Sequence, residues 1–178
     1  MSSKLPVKPV FVGLMGSGKS AIARRLVARL DDDIRLIDVD KHIVEKAGLS
    51  IPEIFEKHGE AEFRKMETEM LKEVINEDAI ISTGGGVVLS KENREILKAN
   101  PPVIWFKGTP EFLVQFAGGD PNRPLVAEGD ALNTMREMAE IRNPLYEEVA
   151  DAIMNRDELG RMATVDAVIK FLDNWQKA

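Results

Sequence analysis

Cysteine is wholly absent from the 178 residues, which excludes disulfides and every metal or nucleophilic site built on a thiol, and suits a reducing compartment. Long apolar runs are missing too. None approaches the roughly 18 residues of a membrane span, and the opening MSSKLPVKPVF carries neither the apolar stretch nor the small-residue cleavage site of a secretory signal. A cytoplasmic chain without a membrane-bound segment is the expectation. Positive charge is in deficit: 24 Lys and Arg stand against 30 Asp and Glu, for a net charge of −6. Nucleic acids and anionic membranes need a broad basic face, so neither is expected as a partner. Any anionic ligand must then be held by individually placed cations. Repeats and low-complexity tracts are lacking, and a composition 44% hydrophobic and 30% charged is that of a soluble globular protein. The length predicts a single domain over residues 1–178 that buries roughly 70% of its unfolded surface.

Against this background stands VFVGLMGSGKS, from Val10 to Ser20, an apolar run that breaks into a glycine-rich turn. Gly13, Gly18, Lys19 and Ser20 fit G-x-x-x-x-G-K-[ST], with a strand-like run before them and a helical run, AIARRLVARL, after them. Such a stretch cradles phosphates. Backbone N–H groups can wrap an anion only where no Cβ intrudes, and the opening helix presents its positive dipole end. Gly16, Ser17, Gly18, Lys19, Ser20 and Ala21 are the candidate phosphate contacts, with Lys19 reaching the β- and γ-phosphates and the Ser20 hydroxyl a ligand for Mg²⁺. The cradle alone leaves the reaction open.

Hydrophobic periodicity predicts further elements in alternation. IRLID (34–38) reads as a second short buried strand, followed by a helix over 41–47 that Gly48 stops. Ser50 with Glu53 forms a capping box for a short helix over 52–57, and a longer one runs from Glu60 to about Asn76. AIIST (79–83) is a third strand, entering three consecutive glycines. Ser90 caps a helix to Ala99, PVIWF (102–106) is a fourth strand, and Pro110 opens a helix that stops near Gly118. GGDPNRPLVAEG reads as a mobile loop. A helix from about Ala131 to Glu140 or beyond follows, with Pro144 marking a break or kink. DAIMN (151–155) is a fifth strand, and a helix over 165–175 closes the chain. Strands alternating with helices imply a parallel sheet covered on both faces, with ligands at the carboxyl ends of the strands.

Those ends carry chemistry-bearing residues. Asp38-Val39-Asp40 would set two carboxylates on one side of an extended segment, one for water around Mg²⁺ and one for a substrate hydroxyl; an N-cap plus a solvated acid fits the same residues equally well. Gly84, Gly85 and Gly86 permit close approach of backbone to ligand. Arg64, Arg123 (in NRPL) and Arg142 (in RNPLY) are the cations that an acidic protein would use to hold an anionic substrate beside a nucleotide. The cluster Arg24, Arg25 and Arg29 reads instead as a solvated helix face. His42 and His58 lack partners at metal-ligand spacing and read as surface or packing residues, as Met66, Met70, Trp105 and Trp175 read as packing.

The ordered set GLMGSGKS, Asp38 to Asp40, IPEIFEKHGEAEFRKME, STGGG, NRPL and RNPLY resembles the shikimate kinases over nearly the whole chain. The resemblance implies an α/β fold of the P-loop NTPase type, a three-layer sandwich akin to nucleoside-monophosphate kinases, with a five-stranded parallel sheet in the order 2-3-1-4-5. It implies ATP-dependent phosphorylation of the 3-hydroxyl of shikimate in aromatic amino-acid synthesis, with Mg²⁺, an acceptor-binding segment at about 39–66 and a lid at about 116–130. Residue by residue, Arg64 and Arg142 would grip the shikimate carboxylate beside Gly85 and Gly86. Asp40 would hold ring hydroxyls and accept the attacking proton, Asp38 would sit with Ser20 near Mg²⁺, and Arg123 would close over the phosphates. Lys19, Asp40 and Arg123 are the catalytic set.

Two departures concern the adenine. Phe116 stands where many relatives carry a stacking arginine. NRDELGRMA is longer than the usual adenine loop, which leaves the choice between Arg156 and Arg161 open. A gluconate kinase of similar fold, or a regulator that binds nucleotide without turnover, would share the cradle; the paired arginines and the triple glycine favour shikimate. A closing lid needs free surface and no exposed apolar helix face is evident, so a monomer is expected.

Overall fold

Five short strands, β1 (Val10–Val12), β2 (Arg35–Asp38), β3 (Ala79–Ser82), β4 (Val103–Lys107) and β5 (Ala152–Asn155), pair in parallel in the order β2-β3-β1-β4-β5. The structure, a computed structural model, describes residues 7–30, 33–117 and 130–177. The expected loop at 118–129, and Arg123 with it, lies outside the described residues.

Seven helices flank the sheet among the described residues: α1 (Lys19–Leu30), α2 (Val39–Ala47), α3 (Ile51–Val74), α4 (Lys91–Lys98), α5 (Pro110–Ala117), α6 (Ala131–Val149) and α7 (Arg161–Lys177). Successive strand residues face opposite sides, which divides the core in two. Phe11, Ile80, Ile104 and Phe106 pack with Ile22 and Leu26 of α1 and Val168 and Leu172 of α7. Val12, Ile81 and Trp105 pack on the other face with residues of α2, α3 and α6. Both faces are covered, so the central strands β1 and β3 are buried throughout and read as continuous apolar runs.

The register sets the strand ends level. Phe11 and Asp38 both pair with Ser82, so the loops that leave β1, β2 and β3 emerge side by side. β2 is not the fully buried strand its sequence suggests: it forms a sheet edge with Arg35 exposed. Edge position follows from strand order, which a four-residue run cannot encode.

Several local signals act as read. Gly48 ends α2 in a left-handed conformation (φ 67°), its N–H bonding Val44 O at 2.9 Å. Ser50 and Glu53 exchange the two bonds of the capping box, at 3.2 and 3.3 Å. The predicted pair of helices over 52–57 and 60–76 is α3, interrupted at Gly59 (φ 83°, ψ 165°) and ending at Val74. The last helix starts at Arg161, a turn before the expected Val165.

Two expectations are corrected. Asp38 and Asp40 do not share an extended segment: Asp38 ends β2 and caps α2, accepting from Lys41 N at 3.3 Å, whereas Asp40 lies in the first turn of α2. The cap converts the strand to a helix within one residue. Pro144 does not break α6, which continues to Val149. An interior proline costs an exposed helix about 3 kcal/mol. This helix buries Met135, Met138, Ala139, Arg142, Tyr146 and Val149, and burial at about 1.5–3 kcal/mol per large apolar side chain outweighs that cost.

Candidate active site

The cradle between β1 and α1 closes against its neighbours so tightly that glycine is required. A Cβ on Gly13 would sit 2.6 Å from Phe106 O, and one on Gly16 (φ 82°) would strike Leu113 O. Lys19, only 5% exposed, donates from Nζ to Gly13 O at 2.6 Å and Leu14 O at 3.1 Å. A cleft of about 570 Å³ opens beside this loop, lined on one side by Gly18, Lys19, Ser20 and Ala21 and elsewhere by Phe112, Phe116, Arg156 and the 157–161 segment. That volume falls in the range of ligand sites.

Arg156 is buried at the edge of this cleft. It donates from Nε to Ser17 O at 3.0 Å and from Nη1 to Leu159 O at 2.8 Å and to Thr164 Oγ1. Burial, then the like charge of Arg161, pushes its guanidinium below its ordinary value. Phe116 and Arg161 also line the cleft. Of the two arginines left open above, Arg156 is thus committed to the loop backbone and Arg161 lies exposed at the start of α7.

Below the cradle the Ser20 hydroxyl donates to Asp38 Oδ2 at 3.0 Å and lies 3.4 Å from Ser82 Oγ. One carboxylate and two hydroxyls, all hard oxygen donors, suit Mg²⁺, which keeps several waters and takes few protein ligands. Among the described residues no group of three or more His, Cys, Asp and Glu could hold a metal. His42 Nδ1 instead lies 3.1 Å from Asp38 O.

The opposite wall is built on the three glycines after β3, each facing a different predicted residue. At Gly84 a Cβ would lie 2.7 Å from Asp40 Oδ1 and 3.0 Å from Glu67 Oε2. At Gly85 it would lie 3.5 Å from Arg142 Nη1 and 3.6 Å from Gly13 O, the carbonyl that Lys19 engages. At Gly86 it would collide with the Arg64 guanidinium. Arg142 and Tyr146 are one turn apart on α6, and the Tyr146 hydroxyl donates to Gly85 O. Asp40 and Arg142 are 7% and 6% exposed.

Electrostatics on this wall are balanced by pairs. Arg64 Nη1 meets Glu67 Oε1 at 3.2 Å and Nη2 meets Glu60 Oε1 at 3.3 Å. Burial pushes the Arg142 guanidinium down, Tyr146 opposes that shift, and the positive charge of Arg64 adds to it. Arg142 remains a cation near neutral pH, since a guanidinium does not deprotonate in proteins. The wall therefore offers two cations and two buried carboxylates, Asp40 and Glu67, within reach of the cradle.

Lys19, Ser20, Asp38, Asp40, Arg64, Gly85, Gly86 and Arg142 are thus brought together. Sequence reasoning passed over Glu67, Tyr146 and Ser82, and left Arg156 open beside Arg161. Glu67 had a signal, one turn after Arg64, and so did Tyr146, four residues after Arg142; Arg156 had none that separated it from Arg161.

A family model for shikimate kinase matches residues 15–173. The chain belongs to the shikimate kinase family. It is 43% identical over 170 residues to a shikimate kinase from Xanthomonas axonopodis pv. citri, covering 94% of this chain and 93% of that protein. A shikimate kinase from Acinetobacter baumannii, solved in complex with shikimate, superposes with a TM-score of 0.85 at 34% identity, over 97% of this chain and 95% of that one. A gluconokinase from Sinorhizobium meliloti reaches a TM-score of 0.57 at 10% identity and shares the fold alone. The activity of this shikimate kinase is phosphorylation of shikimate with ATP and Mg²⁺, a step in aromatic amino-acid biosynthesis.

Proposed function

We propose that the 3-hydroxyl of shikimate is the acceptor and that the wall over Gly84 to Gly86 holds it. The observation that carries this reading is the placement of Asp40, Arg142 and Arg64 against three successive glycines, the middle one facing the carbonyl that Lys19 engages. Arg64 and Arg142 pair with the substrate carboxylate, and the Gly85 and Gly86 backbone lies alongside. That grip turns the ring so that its 3-hydroxyl faces Asp40, whose carboxylate accepts the proton as the oxygen bonds to the γ-phosphorus and the bond from that phosphorus to the β,γ-bridging oxygen breaks, with ADP leaving. The cradle from Gly16 to Ala21 holds the phosphates, and Lys19 neutralises charge as it spreads over the transferring group. Bound Mg²⁺ offsets charge on the β- and γ-phosphates; Ser20 and Asp38 are the residues to hold it. Arg123 supplies a further cation, and exclusion of water protects ATP from hydrolysis.

In this reading the chain is a single domain over 1–178, with an acceptor-binding segment at about 39–66 and a lid at about 116–130. It works as a cytoplasmic monomer whose partners are shikimate and ATP, not nucleic acid or membrane. No helix among the described residues is long and apolar enough to cross a membrane. The test is ATP-dependent phosphorylation of shikimate, gluconate and nucleoside monophosphates, with and without Mg²⁺, and NMR of the product. Turnover confined to shikimate, with phosphate on the 3-oxygen, is expected. Comparable rates on gluconate would overturn the acceptor assignment.

A further inference from the structure

The wall over Gly84 to Gly86 is held from behind. Gly84 O accepts from Val87 N at 3.2 Å, Gly85 O accepts from the Tyr146 hydroxyl, and Gly86 O accepts from Leu89 N at 3.1 Å. Two of these bonds come from one short helical turn, Val87–Leu89, whose own carbonyls are held in turn by α4. Ser90 ends the turn and caps that helix, accepting from Asn93 N at 3.3 Å, so the first turn of α4 lies against the residues just before it. The wholly buried Asn93 donates from Nδ2 to Val87 O at 2.9 Å. Arg94 donates from Nη1 to Val88 O at 2.7 Å and to Leu89 O at 3.4 Å. On another edge of the same guanidinium, Nε lies 2.7 Å from Glu148 Oε2 of α6, the helix that carries Arg142 and Tyr146. Lys98 Nζ lies farther from that oxygen, at 3.8 Å.

We propose that Arg94 is a positioning residue for shikimate: paired with Glu148, it sets the spacing between the two halves of the acceptor wall. One half is the glycine backbone with the Arg64 guanidinium against Gly86, and the other is Arg142 on α6. Arg94 acts through the turn and the helix, not on the substrate. The role suits arginine, whose planar fork takes a carbonyl and a carboxylate along two fixed directions; a lysine ammonium is a single point charge on a flexible stem. The Arg94 side chain is only 17% exposed, so breaking the pair leaves a shielded guanidinium edge without its partner, which costs more than losing an exposed surface pair. A misplacement of about 1 Å transmitted from outside the site can cost on the order of 100-fold in rate. The cradle is held by other groups, Lys19 on Gly13 O and Arg156 on Ser17 O, so ATP should be spared. The proposal rests on the reading that this wall holds shikimate.

The experiment is steady-state kinetics with each substrate varied at saturation of the other. It compares the parent with Arg94→Ala, Arg94→Lys, Glu148→Ala, Glu148→Gln and the double variant Arg94→Ala with Glu148→Ala, and Arg64→Ala is run beside them as a control on the wall. Arg94→Ala should raise KM for shikimate by about 5- to 30-fold, the factor that one lost buried hydrogen bond to a charge makes in an equilibrium. KM for ATP should stay within about twofold, and the double variant should be no worse than Arg94→Ala, because the two side chains act as one unit. Glu148→Gln keeps an oxygen beside Nε and should recover most of the loss seen in Glu148→Ala, whereas Arg94→Lys should behave like Arg94→Ala. If Arg94→Ala does not fold, Glu148→Ala carries the test, since Glu148 is exposed and its loss leaves the bonds from Arg94 to the turn in place. A shikimate KM that neither Glu148→Ala nor folded Arg94→Ala raises, or an equal rise for ATP, would overturn the proposal while Arg64→Ala still impairs shikimate. If Arg64→Ala also leaves KM for shikimate unchanged, the reading of the wall fails first and takes this one with it.

Discussion

The Ser20 hydroxyl donates to Asp38 Oδ2 at 3.0 Å, while Oδ1 of the same carboxylate caps α2 by accepting from Lys41 N at 3.3 Å. One side chain thus ties the end of the phosphate cradle to the start of the helix that carries Asp40. Of the two meanings that the sequence allowed for Asp38, Oδ1 realises the helix cap, and Oδ2 meets the Ser20 hydroxyl, beside which the Mg²⁺ role is proposed.

Asp38→Ala should therefore fail in two separable ways. Loss of the cap is expected to cost about 0.5–2 kcal/mol, read as a lower midpoint in urea. Loss of the oxygen beside Ser20 should raise the Mg²⁺ concentration needed for half-maximal turnover. Asp38→Asn keeps a capping oxygen and should recover stability while leaving the Mg²⁺ requirement raised. If both variants titrate with Mg²⁺ like the parent, Asp38 has no part in holding the ion.

Arg64 lies against Gly86, on the wall proposed to hold the acceptor. Arg64→Ala should raise KM for shikimate by at least about tenfold, the loss of a charge-assisted hydrogen bond, with ATP affinity little changed. Equal damage to both substrates would mean that Arg64 does not hold the acceptor. Gly86→Ala tests the same contact from the other side. Its φ of −91° suits alanine, so the added methyl acts only by displacing the Arg64 guanidinium. A folded protein with raised KM for shikimate is expected.

Tyr146→Phe removes the hydroxyl that donates to Gly85 O inside the core. The carbonyl left behind should cost about 1–3 kcal/mol in unfolding free energy. Because Gly85 also lies between Arg142 and Gly13, steady-state kinetics should show a raised KM for shikimate as well. A purely thermal effect would mean that the hydroxyl stabilises the fold without placing the glycine.

Ser50→Ala should lower stability by about 1 kcal/mol through loss of the cap on α3. The hydrogen bonds from Ser50 hold the Glu53 carboxyl below its ordinary value. A carboxyl depressed in the folded state adds stability that is present above its unfolded value and fades as pH falls through its folded one. The stability gap between parent and Ser50→Ala should therefore narrow in acid, below the ordinary glutamate range. A gap that stays constant from neutral to strongly acid pH would show that the Ser50 hydroxyl does not hold the Glu53 carboxylate, the backbone bond from residue 50 being common to both proteins.

Legibility followed the range of the interaction involved. The cradle, the capping box, the stop at Gly48 and the alternation of strands with helices depend on residues within a turn or two of one another, and each appears where it was read. The extended reading of Asp40 gave way to its alternative, because the Asp38 cap began a helix at once, and no break falls at Pro144, because burial carried α6 through its proline. Glu67 looks like an ordinary surface charge in sequence, and Arg156 cannot be told there from Arg161. Their importance lies in being buried against Gly84 and Ser17 O, partners that are 17 and 139 positions away.

By itself, the sequence determined that this is an α/β protein with a phosphate cradle, and its ordered motifs already identified the kinase family. Those features are carried by backbone conformation and short spacing, which a linear string records. Only the tertiary structure decided that Gly84, Gly85 and Gly86 each meet a different side chain, that Glu67 stands between Arg64 and Asp40, and that Arg156 serves the cradle backbone. Strand order and parallel register bring the loops after β1, β2 and β3 to one edge, and α3 and α6 deliver their arginines across it. Proximity of that kind arises from packing two cores against one sheet, and no local pattern contains it.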